Sequence, residues 1–164
     1  MSWTEVQTLG VKAASGAGVP PAQALAFGAM VARHVADDGP QGAVATALSE
    51  PERIVGLAHT VETIVEAASM SSKPVSAKEE DPAMRAMLGS WISGLPCKSE
   101  LDVAGSKLRI NLSLTEPSTR GRPERLSLEP ALAALMTELA AKTYVTDSDA
   151  SREGGAGAGL MELD

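Results

Sequence analysis

Leu108-Arg109-Ile110-Asn111-Leu112-Ser113-Leu114 is the stretch that decides the fold class, because its apolar and polar side chains alternate strictly. Successive side chains of a β-strand point to opposite faces, so this alternation predicts a strand with one buried face. Gly105-Ser106, just before it, is typical of a tight turn and predicts a hairpin whose first strand is 100–104. We predict a third strand at 125–128.

The first half of the chain has the three- and four-residue periodicity of amphipathic helices instead. Ser2 and Glu5 form a capping-box pattern that begins the first helix, and Pro20-Pro21 begins a second helix that continues to Asp37. The second helix is apolar nearly all round, so we expect it at the centre of the fold. Cap and proline signals predict the starts of three more helices at Ser49–Pro51, Asp81–Pro82 and Pro130.

Helices followed by a small sheet predict an α+β protein, with an N-terminal helical bundle, a small antiparallel sheet and a C-terminal helix. The length of 164 residues fits a single domain, 1–164. The polar segment 71–80 resembles a linker. It is the one candidate seam between the helical N-terminal part and the α+β C-terminal part.

Composition restricts the classes of partner. The chain has a net charge of −7 and only 2% aromatic residues, and its one basic cluster, 120–125, is interrupted by Pro and Gly. Nucleic-acid binding needs cationic surface and aromatic rings, so we expect no nucleic-acid partner. An acidic surface also disfavours anionic membranes. Because the sequence has neither a signal-peptide pattern nor a long apolar run, we expect a cytoplasmic protein with no membrane partner.

A histidine with two nearby carboxylates lies at the end of the second helix: His34, Asp37 and Asp38. Histidine titrates near neutral pH, and an aspartate can orient its ring, so His34 is a candidate general base for an acyl or amino-acid substrate. The alternative is that His34 caps the helix, because the helix dipole favours a cation at a C-terminus. Whether the protein is an enzyme stays open at this point.

A possible metal site and a possible nucleophilic cysteine are not favoured by the sequence. His59, Glu62 and Glu66 share one face of a helix and could hold a divalent metal, but this face is opposite the apolar stripe. We therefore interpret it as solvated. Cys97 has no histidine near it in sequence and is expected to be a small packed residue. We predict neither a metal nor a cofactor.

The C-terminal segment has many hydrogen-bonding side chains next to glycines. One hypothesis makes it the wall of a pocket for a small carboxylate metabolite, in which Arg152 pairs with the carboxylate and glycine backbone approaches the ligand closely. The alternative is a flexible terminus. The candidate binding residues are Tyr144, Ser148, Ser151, Arg152, Gly155 and Gly157.

The two ends of the chain, 13–18 and 143–159, resemble an uncharacterised family of bacterial proteins, the domain of unknown function numbered 3726. The strings are Ala13-Ala14-Ser15-Gly16-Ala17-Gly18 and Thr143-Tyr144-Val145 with Ala150-Ser151-Arg152 and Gly155-Ala156-Gly157-Ala158-Gly159. The resemblance implies a bacterial, soluble protein, and it assigns no catalytic role to any residue. Together these observations predict a small-molecule-binding or protein-interaction module, with a homodimer through an exposed face of the 84–92 helix as a further hypothesis.

Overall fold

The computed structural model describes residues 1–71 and 73–143, and the protein is α+β as predicted. Four helices come first, a strand and a fifth helix follow, and then a β-hairpin precedes the last helix of the described chain. The elements are α1 (Trp3–Gly16), α2 (Pro21–Ala36), α3 (Gln41–Ser49), α4 (Pro51–Met70), β1 (Val75–Lys78), α5 (Pro82–Ser93), β2 (Cys97–Ala104), β3 (Lys107–Pro117) and α6 (Pro130–Ala141).

The cap predicted from the sequence is present at the start of α1 but not at the start of α4. The predicted capping box of α1 is confirmed, because Glu5 N donates to Ser2 Oγ (3.3 Å) and Ser2 N donates to Glu5 Oε2 (2.6 Å). The predicted cap of α4 is wrong. Ser49 is the last residue of α3 and its hydroxyl donates to Thr46 O (2.7 Å), so Glu50 precedes α4 without a side-chain cap.

Helix α2 lies at the centre of the bundle, as its apolar sequence predicts, and packs against α1, α3, α4 and α5. Phe27 has no exposed surface, and its ring meets that of Trp91 on α5 edge-to-face at 6.4 Å. Leu25 is an exception, with 61% exposure. Gly28 allows α1 to approach closely, since a Cβ there would overlap the Val11 side chain.

The sheet is antiparallel in the order β1-β3-β2, and the predicted hairpin is its larger part. Leu108 and Ile110 on β3 have no exposed surface and face the helices, whereas Arg109 between them is exposed on the other face. Leu101 of β2 is the cross-strand partner of Ile110. Alternation in the sequence therefore predicted the buried face correctly at Leu108 and Ile110, whereas Leu114 is 41% exposed.

Two sequence predictions about this half of the protein are wrong. The expected linker 71–80 contains strand β1, in which Val75 pairs with Ile110 on β3. The expected third strand 125–128 has no regular secondary structure and joins no sheet in the described residues. Leu126 N instead donates to Met1 O (2.8 Å), and the Met1 amino group donates to Leu126 O (2.9 Å). The backbone groups of this segment are thus partly paired with the start of the chain.

The loop between β3 and α6 is attached to the helices at more than one point. Besides the two bonds between Met1 and Leu126, Gln41 Nε2 donates to Ser127 O (2.9 Å) and Glu129 N donates to Gln41 Oε1 (2.8 Å). These bonds join residues more than 80 positions apart in sequence. They bring the basic cluster 120–125 next to the start of α1.

Candidate functional site

A cleft of about 450 Å³ lies where the start of α1, the ends of α2 and α5, and the loop after β3 meet. We call it the arginine cleft and define it by Trp3, Arg33, Arg120 and Arg122. Its other wall residues are neutral: Ser93, Gly94, Leu95, Pro96 and Ser118. A volume of this size is in the usual range for small-molecule sites.

Arg33 forms the floor of the arginine cleft and is only 7% exposed. Its Nε donates to Asp37 Oδ2 (3.0 Å) and its Nη2 to Asp37 Oδ1 (2.6 Å), a two-point pair between residues one helical turn apart. Nη1 donates to Gly121 O (2.8 Å). Because bidentate pairing fixes both the position and the plane of a guanidinium, Arg33 holds the loop against α2.

Trp3 brings two of the guanidinium groups together. The Cζ atoms of Arg33 and Arg122 each lie 5.4 Å from the centroid of its ring, which is within cation–π distance. This attraction offsets part of the repulsion between two cations that share a small space. The first residue of α1 therefore helps to position a residue of the loop after β3.

Arg120 and Arg122 make fewer hydrogen bonds to the described protein than Arg33 does. Arg120 Nη1 lies 3.5 Å from Asp37 Oδ2, at the limit of a hydrogen bond, and its side chain is 46% exposed. Among the described residues, the Arg122 guanidinium has its ring contact with Trp3 and no hydrogen bond. Both groups thus keep most of their N–H donors for another acceptor.

The charge of the arginine cleft is opposite to that of the chain. Its described wall contains three arginines and no carboxylate, although the protein has a net charge of −7. Asp37, the nearest partner of these arginines, is engaged by Arg33 and lies outside the wall. A concave site with one sign of charge concentrates ligands of the other sign, so this site favours anions.

His34, the candidate general base, has no exposed surface. Its Nε2 is 3.1 Å from Pro40 O and its Nδ1 is 2.8 Å from Ser90 Oγ on α5. A carbonyl can only accept, so Nε2 has a proton and donates it to Pro40 O. The one proton of the Ser90 hydroxyl has two acceptors within reach, Nδ1 of His34 and Ala86 O (3.1 Å). Burial lowers the pKa of His34, while the Pro40 carbonyl and the Asp37 charge act in the opposite direction. The ring is therefore neutral near pH 7, and its bonds join α2 to α5 and to the turn before α3.

Neither Asp37 nor Asp38 orients the His34 ring as the general-base hypothesis expects. Asp37 pairs with Arg33 and not with a ring nitrogen of His34. Asp38 has a φ of +54°, and the turn around it closes α2 through bonds from Asp38 N to Val35 O (3.2 Å) and from Gly39 N to His34 O (2.8 Å). This is a Schellman motif, the common C-terminal end of a helix. Backbone bonds thus close the end of α2, and the buried His34 ring is not the cationic cap that the sequence alternative describes.

The remaining sequence candidates are not near the arginine cleft or cannot be placed. His59 Nδ1 and Glu62 Oε2 are 3.1 Å apart with both side chains 65% exposed, which confirms a solvated face. No cluster of three potential metal ligands occurs in residues 1–71 and 73–143. Cys97 is a free thiol, 8% exposed, as expected of a packed residue. Tyr144, Ser148, Ser151, Arg152, Gly155 and Gly157 lie outside the described residues.

A second cavity of about 470 Å³ lies between α2, α4 and α5 and differs from the arginine cleft in chemistry. We call it the apolar groove. Its wall is mostly Ala, Val, Leu and Trp, with carboxylates of Glu62 and Glu66 and no cation. Such a wall offers no cationic partner to an anion.

Sequence reasoning missed the arginine cleft because its members are far apart in the chain. Residues 3, 33, 120 and 122 come together only when the loop folds back over α1 and α2. The one available signal in the sequence is the basic cluster 120–125, which the sequence analysis weighs only against nucleic-acid binding. A cluster of cations in an otherwise acidic chain also indicates a site for a small anion.

In the part of the chain that the structure describes, no helix is both long and apolar enough to cross a membrane. Comparison with protein families, with curated proteins and with solved structures gives no match for this chain. The resemblance to the bacterial family of unknown function therefore stays a prediction.

Proposed function

We propose that this protein is a ligand-binding module whose arginine cleft takes a small carboxylate-bearing molecule. The observation that supports this most is the described wall itself, which contains three arginines and no carboxylate in a chain of net charge −7, with two of the arginines against the Trp3 ring. A guanidinium presents N–H donors in a planar fork that matches a carboxylate, and this match is stronger than that of an ammonium group.

The residues that we propose to contact the ligand differ from those of the sequence hypothesis. In that hypothesis Arg152 pairs with the ligand carboxylate, with Tyr144 and Ser151 nearby, and these residues lie outside the described chain. Arg120 and Arg122 have the same chemistry and free donors in a cleft of suitable size. We therefore propose them as the primary contacts, and the role of Arg152 stays a prediction.

The alternative function, a small enzyme with His34 as general base, has less support from the geometry. A general base must come within hydrogen-bond reach of the proton it takes, directly or through one water. His34 has no exposed surface and both ring nitrogens have protein partners. We keep binding without catalysis as the proposal, in a bacterial and cytoplasmic protein.

A homodimer stays a prediction, but the helix expected to form it contributes its apolar side chains to the core. Met84, Met87, Leu88, Trp91 and Ile92 of α5 are all buried. A dimer face would have to be made by other residues.

The proposal can be tested by thermal unfolding of the full-length protein in the presence of small carboxylates, against chloride at matched ionic strength. A ligand that binds only the folded state raises the melting temperature. We expect a carboxylate-dependent rise that is lost when Arg120 and Arg122 are both replaced by Gln. Arg125→Gln is the matched control, because Arg125 is an exposed arginine of the same loop outside the cleft wall. The proposal fails if no carboxylate exceeds the chloride control, or if the double variant responds like the wild type.

A further inference from the structure

We infer that the ligand of the arginine cleft is a short dicarboxylate, bound with one carboxylate on Arg120 and the other on Arg122. This inference rests on the proposed function and specifies its ligand class. It follows from three features of the cleft: which charges are already neutralised, where the two remaining cations lie, and what the rest of the wall offers.

The number of uncompensated charges in the cleft indicates a dianion. Arg33 and Asp37 neutralise each other through a two-point pair. Arg120 has only a 3.5 Å contact with the same carboxylate, and Arg122 has no carboxylate partner among the described residues. Two positive charges are therefore left facing the cleft, and a ligand with two negative charges neutralises them.

The positions of these two cations favour two separate carboxylates over one compact anion. Gly121 O accepts from Arg33, so the loop is fixed at Gly121, which lies between Arg120 and Arg122 in sequence. In an extended chain the Cα atoms of such neighbours are up to about 7 Å apart. The two side chains also contact different partners, Asp37 for Arg120 and Trp3 for Arg122. The two guanidinium groups thus have different protein partners, and Arg33 contacts both of these partners.

The neutral part of the wall fits the middle of such a ligand. Leu95 and Pro96 provide apolar surface, and Ser93 and Ser118 provide hydroxyls. A short methylene chain, with or without a hydroxyl group, needs both kinds of surface. A phosphate group places its oxygens around one atom and would use only one end of the cleft.

The test is a calorimetric titration of the full-length protein with acetate, succinate and inorganic phosphate at one ionic strength. We expect succinate to bind about tenfold more tightly than acetate or better, because a second ion pair forms within the same complex. Either Arg120→Gln or Arg122→Gln should reduce the affinity for succinate to that for acetate. Arg125→Gln should leave it unchanged. Far-ultraviolet circular dichroism of each variant verifies that it is folded.

The outcomes separate this inference from the proposed function. Equal affinities for acetate and succinate would overturn the dicarboxylate inference and leave the carboxylate site standing. Tighter binding of phosphate than of succinate would also overturn it, and would show a site for one compact anion. If none of the three probes binds, the inference fails together with the proposal that the cleft takes small carboxylates. Loss of succinate binding in Arg125→Gln would show that the binding site lies outside the arginine cleft.

Discussion

Two parts of this molecule have nearly the same polar residues in sequence but very different surroundings in the structure. The end of α2 has His34, Asp37 and Asp38, and the outer face of α4 has His59 with Glu62 and Glu66. In the first group the histidine is completely buried and both ring nitrogens have partners. In the second the histidine side chain is 65% exposed and is paired with the Glu62 carboxylate one turn away.

The difference comes from long-range partners. His34 is joined to Ser90, which is 56 residues away, and Arg33 beside it is joined to Gly121, which is 88 residues away. The His59 side chain bonds to Glu62, three residues away. Similar local chemistry therefore becomes part of the core in one case and part of a solvated face in the other. We expect the two groups to respond very differently to the same substitution.

The largest expected effect is on the free energy of unfolding when each histidine is replaced by alanine. His34→Ala leaves a cavity and removes a hydrogen-bond partner of the buried Ser90 hydroxyl and of Pro40 O, which costs about 3 kcal/mol. His59→Ala at an exposed position should change stability by less than about 0.5 kcal/mol. Urea denaturation of both variants measures the difference. Equal effects would show that His34 is not a packing residue.

A smaller effect is expected from a methyl group added next to the buried ring. A Cβ at Gly39 would overlap the His34 imidazole, so Gly39→Ala should destabilise the protein by about 2 kcal/mol. Gly42→Ala is the matched control, since a Cβ at that exposed position of α3 meets nothing within 4 Å. That variant should be stabilised by roughly 0.5–1 kcal/mol through helix propensity. Thermal unfolding that ranks the two variants in the opposite order would contradict the close packing around His34.

The smallest effect is the pH dependence of stability that His34 contributes. Burial lowers the pKa of His34 in the folded protein, so the unfolded chain binds a proton more readily. This stability is fully present above the unfolded histidine pKa of about 6.5 and is lost as the pH falls from there toward the lowered folded value. The slope is at most about 1.4 kcal/mol per pH unit.

Urea denaturation between about pH 5 and pH 8 gives this slope directly. His34→Gln should reduce it, and His59→Gln should retain it. A wild-type slope of zero or of opposite sign just below the unfolded pKa would contradict a buried neutral His34.

Local sequence was a good guide where a helix or strand depends on neighbouring residues. The box of Ser2 and Glu5 begins α1, and the Asp81 side chain accepts from Ala83 N (2.8 Å) at the start of α5. The alternation around Ile110 gave both the strand and its buried face. Each of these signals acts within one turn or one strand, so the chain need not be folded for the signal to be read.

Local sequence was a poor guide where pairing decides the conformation. Strand β1 has only four residues, and it forms because β3 provides its hydrogen-bond partners. The segment around Leu126 has the side chains of a strand but pairs with Met1 and not with the sheet. Ser49 is a good cap residue that remains in the last turn of α3, where its hydroxyl bonds to Thr46.

The sequence by itself determined the α+β class, the sites at which most helices begin, the buried face of the hairpin and the central place of α2. These follow from periodicity and capping, which are local. The tertiary structure decided the roles of the polar residues: His34 became part of the core, His59 part of the surface, and Trp3 with three arginines formed a cleft. The physical reason is that charge, burial and hydrogen-bond satisfaction depend on which distant groups come into contact, and only folding sets those contacts.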